Sequence, residues 1–330
     1  MIMVNNNSSN CTIIHDIDVY IFPPVYITVI VISLLSNSTS LYVSCVQIKK
    51  KNELGIYLFH LSFADLLYTL MLPFWVDFTL NHNHWRFSTV ICKINAFFMH
   101  INIYSSAGFL TCISLDRYLA VVHPLKFRHL RTRKMAMFVS LAVWIIQSTL
   151  NAVILVNEET SRDKDSHLLC FDVFPMTKWQ SNFNIMIVCL GHLIPLIIMV
   201  ICYHKIYSAV KKNQATGDSD KKKIRQLILV ILVFFLITLT PYNIVLLIRS
   251  IWEPSNCKFA QLMYVPYKVT LALSSINCIA DPFLYCFVSE AGRADMMTLL
   301  NCCVNQVKAN PEYKLATVSV TTSPEKCRAL

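Results

Sequence analysis

Five stretches of this 330-residue chain contain no Asp, Glu, Lys or Arg: residues 19–48, 94–115, 135–157, 179–203 and 226–248. Each reaches or exceeds the roughly 20 residues that a helix needs to cross about 30 Å of hydrocarbon. Two further apolar stretches, 54–78 and 262–288, qualify but for Asp65, Asp77, Lys268 and Asp281. In lipid each segment has to be helical, because every backbone N–H and C=O must be satisfied within it. The expected fold is therefore all-α, a bundle of seven transmembrane helices. Buried helices of a soluble protein would carry charged faces, and these carry none.

Composition agrees. Hydrophobic residues make up 55% and charged residues 15%, against about 25% charged in soluble proteins. Only 5 glycines are present, and no phosphate-loop, dinucleotide, zinc-protease or nucleophile-elbow pattern occurs. An enzyme is not expected. The net charge of +10 is not spread as a nucleic-acid surface. Basic residues cluster at Lys49–Lys51, at 126–134, and at Lys211, Lys212 and 221–225, the first, third and fifth connections. Residues 1–24 have no Lys or Arg, and 157–178 carry more acids than bases. That pattern sets the N-terminus outside the cell. With no basic, apolar leader evident, the first span serves as signal anchor.

The expected layout is an extracellular, glycosylated N-terminus over 1–21, a transmembrane domain over 22–288, an amphipathic membrane-surface helix over 289–303 and a disordered cytoplasmic tail over 304–330. Sequons at Asn6, Asn7 and Asn10 crowd the outer end. Of 13 cysteines, Cys11, Cys92, Cys170 and Cys257 fall on the oxidising side, where three disulfide pairings are open. Cys302 and Cys303 close the amphipathic stretch and suit palmitoylation. Ser319, Thr321, Thr322 and Ser323 suit phosphorylation.

The spans carry one signature each. Asn37 lies in the first and Leu61-Ser62-Phe63-Ala64-Asp65 in the second. Asp116-Arg117-Tyr118 ends the third, and Trp144 lies in the fourth. Pro195 and Tyr203 mark the fifth, Phe235, Leu239 and Pro241 the sixth, and Asn277 with Asp281-Pro282-Phe283-Leu284-Tyr285 the seventh. In that order they resemble the rhodopsin-like G-protein-coupled receptors over nearly the whole chain. The resemblance implies a plasma-membrane receptor whose Asp116, Arg117, Tyr118, Tyr203 and Tyr285 serve G-protein coupling and whose phosphorylated tail meets receptor kinases and arrestin. It gives Pro195, Phe235, Leu239, Pro241, Asn277 and Pro282 to switching and kinking, and Cys92–Cys170 to tethering the second outer loop. Asp65 would anchor a polar network with Asn37, Asn277 and Asp281.

Asn52-Glu53-Leu54-Gly55-Ile56-Tyr57, Leu72-Pro73-Phe74-Trp75 and Ser275-Ile276-Asn277-Cys278-Ile279-Ala280-Asp281-Pro282 narrow the resemblance to the proton-sensing receptors. That group implies Cys11–Cys257 as a second disulfide and coupling to the stimulatory G protein. Protons are a physically reasonable agonist. Histidine's unperturbed pKa, about 6.5, puts its charge change near physiological pH. The outer candidates are His15, His82, His84 and His167, with His15 and His167 matching histidines of the group. Asp65 and Asp281 form the other half: two carboxylates in one low-dielectric site cannot both ionise cheaply and titrate jointly. Protonation would release a sodium ion held between them. No other cofactor is expected.

Departures from the group are Gln147 for a buried acid, Asn243 and Lys268 for histidines, and Leu239 where an aromatic latch is usual. Leu239 would raise basal activity, and Lys221 cannot pair with Arg117 as an ionic lock. The alternative reading is a receptor for a lysolipid, peptide or other anionic ligand, with Lys268 and Arg249 suited to its headgroup. A transporter or channel would show internal repeats or broken midplane helices, and neither is seen.

Overall fold

The computed structural model describes residues 11, 16–156, 160–162, 168–170, 174–212 and 218–288. Spans one to four are α1 (Asp16–Lys49), α2 (Leu54–Leu80), α3 (Thr89–Val122) and α4 (Arg133–Asn151), with a single turn, α5 (Val153–Val156), after the fourth. A hairpin of β1 (Thr160–Arg162) and β2 (Leu168–Cys170) follows, Thr160 opposite Cys170. The fifth span is α6 (Lys178–Val188), a π-turn (Cys189–Leu193) and α7 (Ile194–Lys212). The sixth is α8 (Asp218–Thr238) with α9 (Thr240–Trp252), and the seventh α10 (Cys257–Ser275) with α11 (Asn277–Val288). The first six spans are each long and apolar enough to cross a bilayer. The seventh is interrupted by a turn at Ile276, and with it the chain forms the expected seven-helix bundle.

α1 begins at Asp16, ahead of the bilayer boundary expected at residue 22. The amphipathic helix over 289–303, the sequons Asn6, Asn7 and Asn10, Cys302, Cys303 and the tail lie outside the described residues.

The bundle inverts the polarity of a soluble protein. Phe138, Leu141 and Ile145 of α4 point outward and exposed, while Asn37, Asp65, Asn102, Asn277 and Asp281 are buried. In hydrocarbon an outward polar group has no partner, so polar side chains turn toward one another inside. α3 packs on α2, α4 and α7 and occupies the centre.

The kinks follow from prolines that cannot donate to the carbonyl four residues back. Pro282 leaves the Cys278 carbonyl without its helical donor, and Asn37 Nδ2 supplies one at 2.8 Å. Pro195 follows the π-turn, where Ile194 N–H reaches Cys189 O. Pro241 sits where α8 gives way to α9, and Thr240 Oγ1 donates to Phe235 O at 3.3 Å.

Gly191 shows how tightly α3 and the fifth span meet. A Cβ there would lie 2.6 Å from Cδ1 of Tyr104, a ring fully enclosed and tied by its hydroxyl to Asn243 Oδ1 at 3.3 Å. Gly191→Ala is expected to cost about 1–3 kcal/mol by overpacking, read as a lower melting temperature of the purified receptor.

Candidate functional site

Three polar clusters are stacked along the bundle. At the expected outer end, Cys92–Cys170 binds β2 to the start of α3, and Cys11–Cys257 binds the N-terminal segment to the start of α10. Both pairings implied by the family resemblance are present. His82 and His84 sit in the turn that closes α2, His82 exposed with φ 53° and His84 half-buried. His15 and His167 lie outside the described residues.

Deeper in the outer end two carboxylates each collect three donors. Asp18 Oδ2 of α1 accepts from Asn83 Nδ2 at 2.8 Å and Tyr264 OH at 2.5 Å, and faces Lys268 Nζ at 3.2 Å. Glu253 accepts from Arg249 Nε at 2.5 Å, Arg249 Nη2 at 2.9 Å and the Met176 amide at 2.9 Å. All four charged groups are buried. Arg249 also lies 4.0 Å from the Tyr267 ring centre and 4.7 Å from that of Phe174. On the surface, Arg86 pairs with Asp77, whose carboxylate pushes the guanidinium above its ordinary range.

At mid-depth, Asp65 Oδ1 accepts from Asn102 Nδ2 at 2.8 Å, and the Cys278 thiol approaches Asn102 Oδ1 at 3.5 Å. Asn277 Nδ2 donates to Asp281 Oδ2 at 2.8 Å, and Thr238 Oγ1 donates to Asn277 Oδ1 at 3.0 Å. Asn37 donates to Ser33 Oγ and the Cys278 carbonyl rather than to Asp65. The network is therefore two linked halves, and the two carboxylates interact electrostatically. Asp65 Oδ2, Asp281 Oδ1 and Ser106 Oγ are buried oxygens without a hydrogen-bond partner. Such hard oxygens fit an alkali cation. Among the described residues no three His, Cys, Asp or Glu gather as transition-metal ligands.

Between the clusters, His192 of the π-turn stacks on Phe235 at 4.9 Å between ring centres. Phe235 and Leu239 are both fully enclosed. Gln147, the departure in the fourth span, is buried with Oε1 unpartnered.

At the expected cytoplasmic end, Asp116 holds two guanidiniums: Arg117 Nη2 at 2.8 Å and Arg131 Nε at 3.2 Å. Arg131 Nη2 reaches on to Glu53 at 2.7 Å, joining the first and second inner connections. Tyr118 OH meets His123 Nε2 at 3.2 Å. Tyr203 is half-buried against Tyr207, ring centres 6.3 Å apart. The side chains of Lys221 and Tyr285 lie outside the described ones. Arg117 is thus moored within α3 and through the second inner loop, a mooring that sequence reasoning missed. Asn102, Asp18 and the carboxylate partner of Arg249 were missed too. Only the last left a sequence signal, the i,i+4 spacing of Arg249 and Glu253 on one helix.

Comparison with known proteins fits this geometry. The family model described as "7 transmembrane receptor (rhodopsin family)" matches residues 36–285. Human G-protein coupled receptor 65 is 47% identical over 318 residues, covering 93% of this chain and 94% of the relative. Human G-protein coupled receptor 68 is 41% identical over 303 residues, covering 92% and 83%. Mouse lysophosphatidic acid receptor 4 is 33% identical over 302 residues, covering 87% and 80%. The chain is a multi-pass plasma-membrane receptor, not an enzyme, and it belongs to the rhodopsin family of seven-transmembrane receptors.

Proposed function

We propose that extracellular acidification activates this receptor and that it raises cAMP through the stimulatory heterotrimeric G protein. The observation that carries the reading is the mid-depth pair. Asp65 and Asp281 are buried, interact electrostatically, and each keeps one oxygen without a partner. A proton is the smallest ligand that satisfies such an oxygen, and it removes the charge at the same time. A sodium ion held by Asp65 and Asp281 would offset one of the pair's two negative charges in the resting bundle, so acid would both fill the site and expel the ion.

The sign follows from linkage. If a group binds its proton more tightly in the active bundle, acid favours that bundle. One pKa unit between states is worth at most about 1.4 kcal/mol, and inverting a 1:99 equilibrium takes about 5.5 kcal/mol. About four such groups are therefore required. The carboxylate pair with His15, His82, His84 and His167 provides them, the histidines sitting on an extracellular face that begins with the glycosylated N-terminus. In the cytoplasm Arg117, with Tyr118, Tyr203 and Tyr285, would receive the G protein. The palmitoylated Cys302 and Cys303 would anchor the amphipathic helix, and the phosphorylated tail would engage arrestin.

The anionic-ligand reading meets an obstacle. Three relatives are named for lysophosphatidic acid, but Arg249 and Lys268, the cations such a headgroup would use, already face Glu253 and Asp18. The test is a cAMP titration from about pH 8 to about pH 6, spanning the histidine range. It is repeated with His15→Phe/His167→Phe and with His82→Phe/His84→Phe. Wild type should respond to acid, and the His15/His167 variant should need a more acidic medium. Silence in acid, with a lipid or peptide activating at neutral pH, would overturn the reading.

A further inference from the structure

At the expected cytoplasmic end, one carbonyl joins the last turn of α1 to the first residue of α4. Ile48 O accepts from the Lys51 amide at 3.1 Å and from Arg133 Nη1 at 3.4 Å. Lys51, at φ 67°, turns the chain back there. Cations from two separate elements therefore converge on one spot, and Lys49, Lys51, Arg133 and Lys134 are all exposed. The two acids whose side chains are described at this end, Glu53 and Asp116, are engaged by Arg131 and Arg117. The patch also borders the lipid-facing surface. Cys45 lies four residues before Lys49, while Met137 and Leu141 lie four and eight residues after Arg133. That spacing keeps each set on one helix face, and all three of these apolar side chains are exposed.

We propose that this patch binds a polyanionic lipid of the inner leaflet, a phosphoinositide. Its phosphates sit among Lys49, Lys51, Arg133 and Lys134, and its chains follow the apolar faces of α1 and α4. Charge complementarity selects this occupant. The cytoplasmic leaflet is the anionic one, and a basic cluster beside a span is drawn to it. A head with one net charge engages the cations singly. A head with several phosphates spans cations of both elements at once, and each contact made raises the effective concentration for the next. Arg133 gives Nη1 to Ile48 O, and a guanidinium has enough N–H donors to serve a carbonyl and a phosphate together. The inference does not depend on protons being the agonist.

The test titrates a fluorescent phosphatidylinositol bisphosphate into purified full-length receptor held in phosphatidylcholine nanodiscs. Each cation near an anionic membrane surface contributes about fivefold in affinity. K49Q/K51Q should therefore weaken binding about 25-fold, and K49Q/K51Q/R133Q on the order of a hundredfold. R133K keeps the charge and should keep most of the affinity. K205Q/K211Q removes as many charges as K49Q/K51Q, from exposed positions near the inner end of the fifth span, and should weaken binding far less. Phosphatidylserine should compete poorly. Soluble inositol trisphosphate, which has the head without the chains, should bind more weakly than the lipid. Equal losses in K49Q/K51Q and K205Q/K211Q would mean a diffuse basic surface and overturn the proposal. So would a soluble head that binds as tightly as the lipid, or a folded triple variant with wild-type affinity. If the triple variant does not fold, the comparison of the two double variants decides alone.

Discussion

Asp116→Asn is expected to raise signalling in alkaline medium about tenfold, from a near-silent receptor to one about a tenth active. Asp116 is buried and its two oxygens moor Arg117 at 2.8 Å and Arg131 at 3.2 Å. Hydrogen bonds to charged groups contribute about 1.5–3 kcal/mol each. Both guanidiniums are roughly a fifth exposed, so solvent screening places the loss at the low end of that range. About 1.4 kcal/mol is a factor of ten in an equilibrium constant. The amide keeps the size of the carboxylate and one acceptor oxygen, so packing should survive. What is lost is the charge that moors Arg117, the arginine proposed to receive the G protein. Arg131→Gln, which removes only the second mooring and its link to Glu53, should have a smaller effect in the same direction. cAMP measured at alkaline pH, normalised to surface receptor, decides it. An Asp116→Asn receptor at normal surface density and wild-type basal level would show that this mooring does not restrain activation.

This mooring marks where the sequence was silent. The spans were legible because hydrocarbon tolerates no charge, so runs such as residues 226–248 announce themselves. The expected sidedness was read from the basic connections. Asp65 and Asp281 stood out as acids inside long apolar stretches. Asn102 did not: an amide in α3 carries no charge to notice, yet it is the direct donor to Asp65. Asp18 looked like part of a polar N-terminal segment. Only when α1, the turn after α2 and α10 are brought together do Asn83, Tyr264 and Lys268 converge on it. Arg131 likewise lay in a basic connection that read as a cytoplasmic charge cluster, 15 residues from Asp116 and 78 from Glu53. Long-range polar convergence is a property of packing, and neither spacing nor composition encodes it.

The pattern of departures fits the same division. Lys268 replaces a histidine of the resembled group, and the structure pairs it with a buried Asp18. An ion pair of this kind can hold α1 against α10. Gln147 keeps a polar group in the fourth span without adding a charge change. The acid response proposed for this receptor therefore rests on fewer groups, and the mid-depth pair has correspondingly more of it to supply.

The double variant Asp65→Asn/Asp281→Asn is the sharpest test of that share. Each amide can keep the existing contact. Asn102 Nδ2 donates to one oxygen of Asp65, and Asn277 Nδ2 to one oxygen of Asp281, so an amide oxygen can accept in both places. What disappears is the ionisable oxygen that has no partner, together with the electrostatic interaction between the two groups. The sign matters. A neutral amide imitates the protonated carboxyl, so the pair's contribution is switched on at every pH rather than abolished. If two of about four one-unit groups are locked in their acid form, about 2.7 kcal/mol of the roughly 5.5 kcal/mol is present from the start. A resting ratio near 1:99 then moves to about even, and basal cAMP in alkaline medium should approach half of the acid maximum. The remaining rise on acidification, carried by the outer histidines, should be shallower and centred where they titrate. A pair that stays protonated throughout, as a fixed structural hydrogen bond, predicts instead that basal level, span and slope all match wild type. Sodium gives a second readout: added salt should oppose acid activation in wild type and lose that effect in the double variant, since the oxygens that would hold the ion are gone.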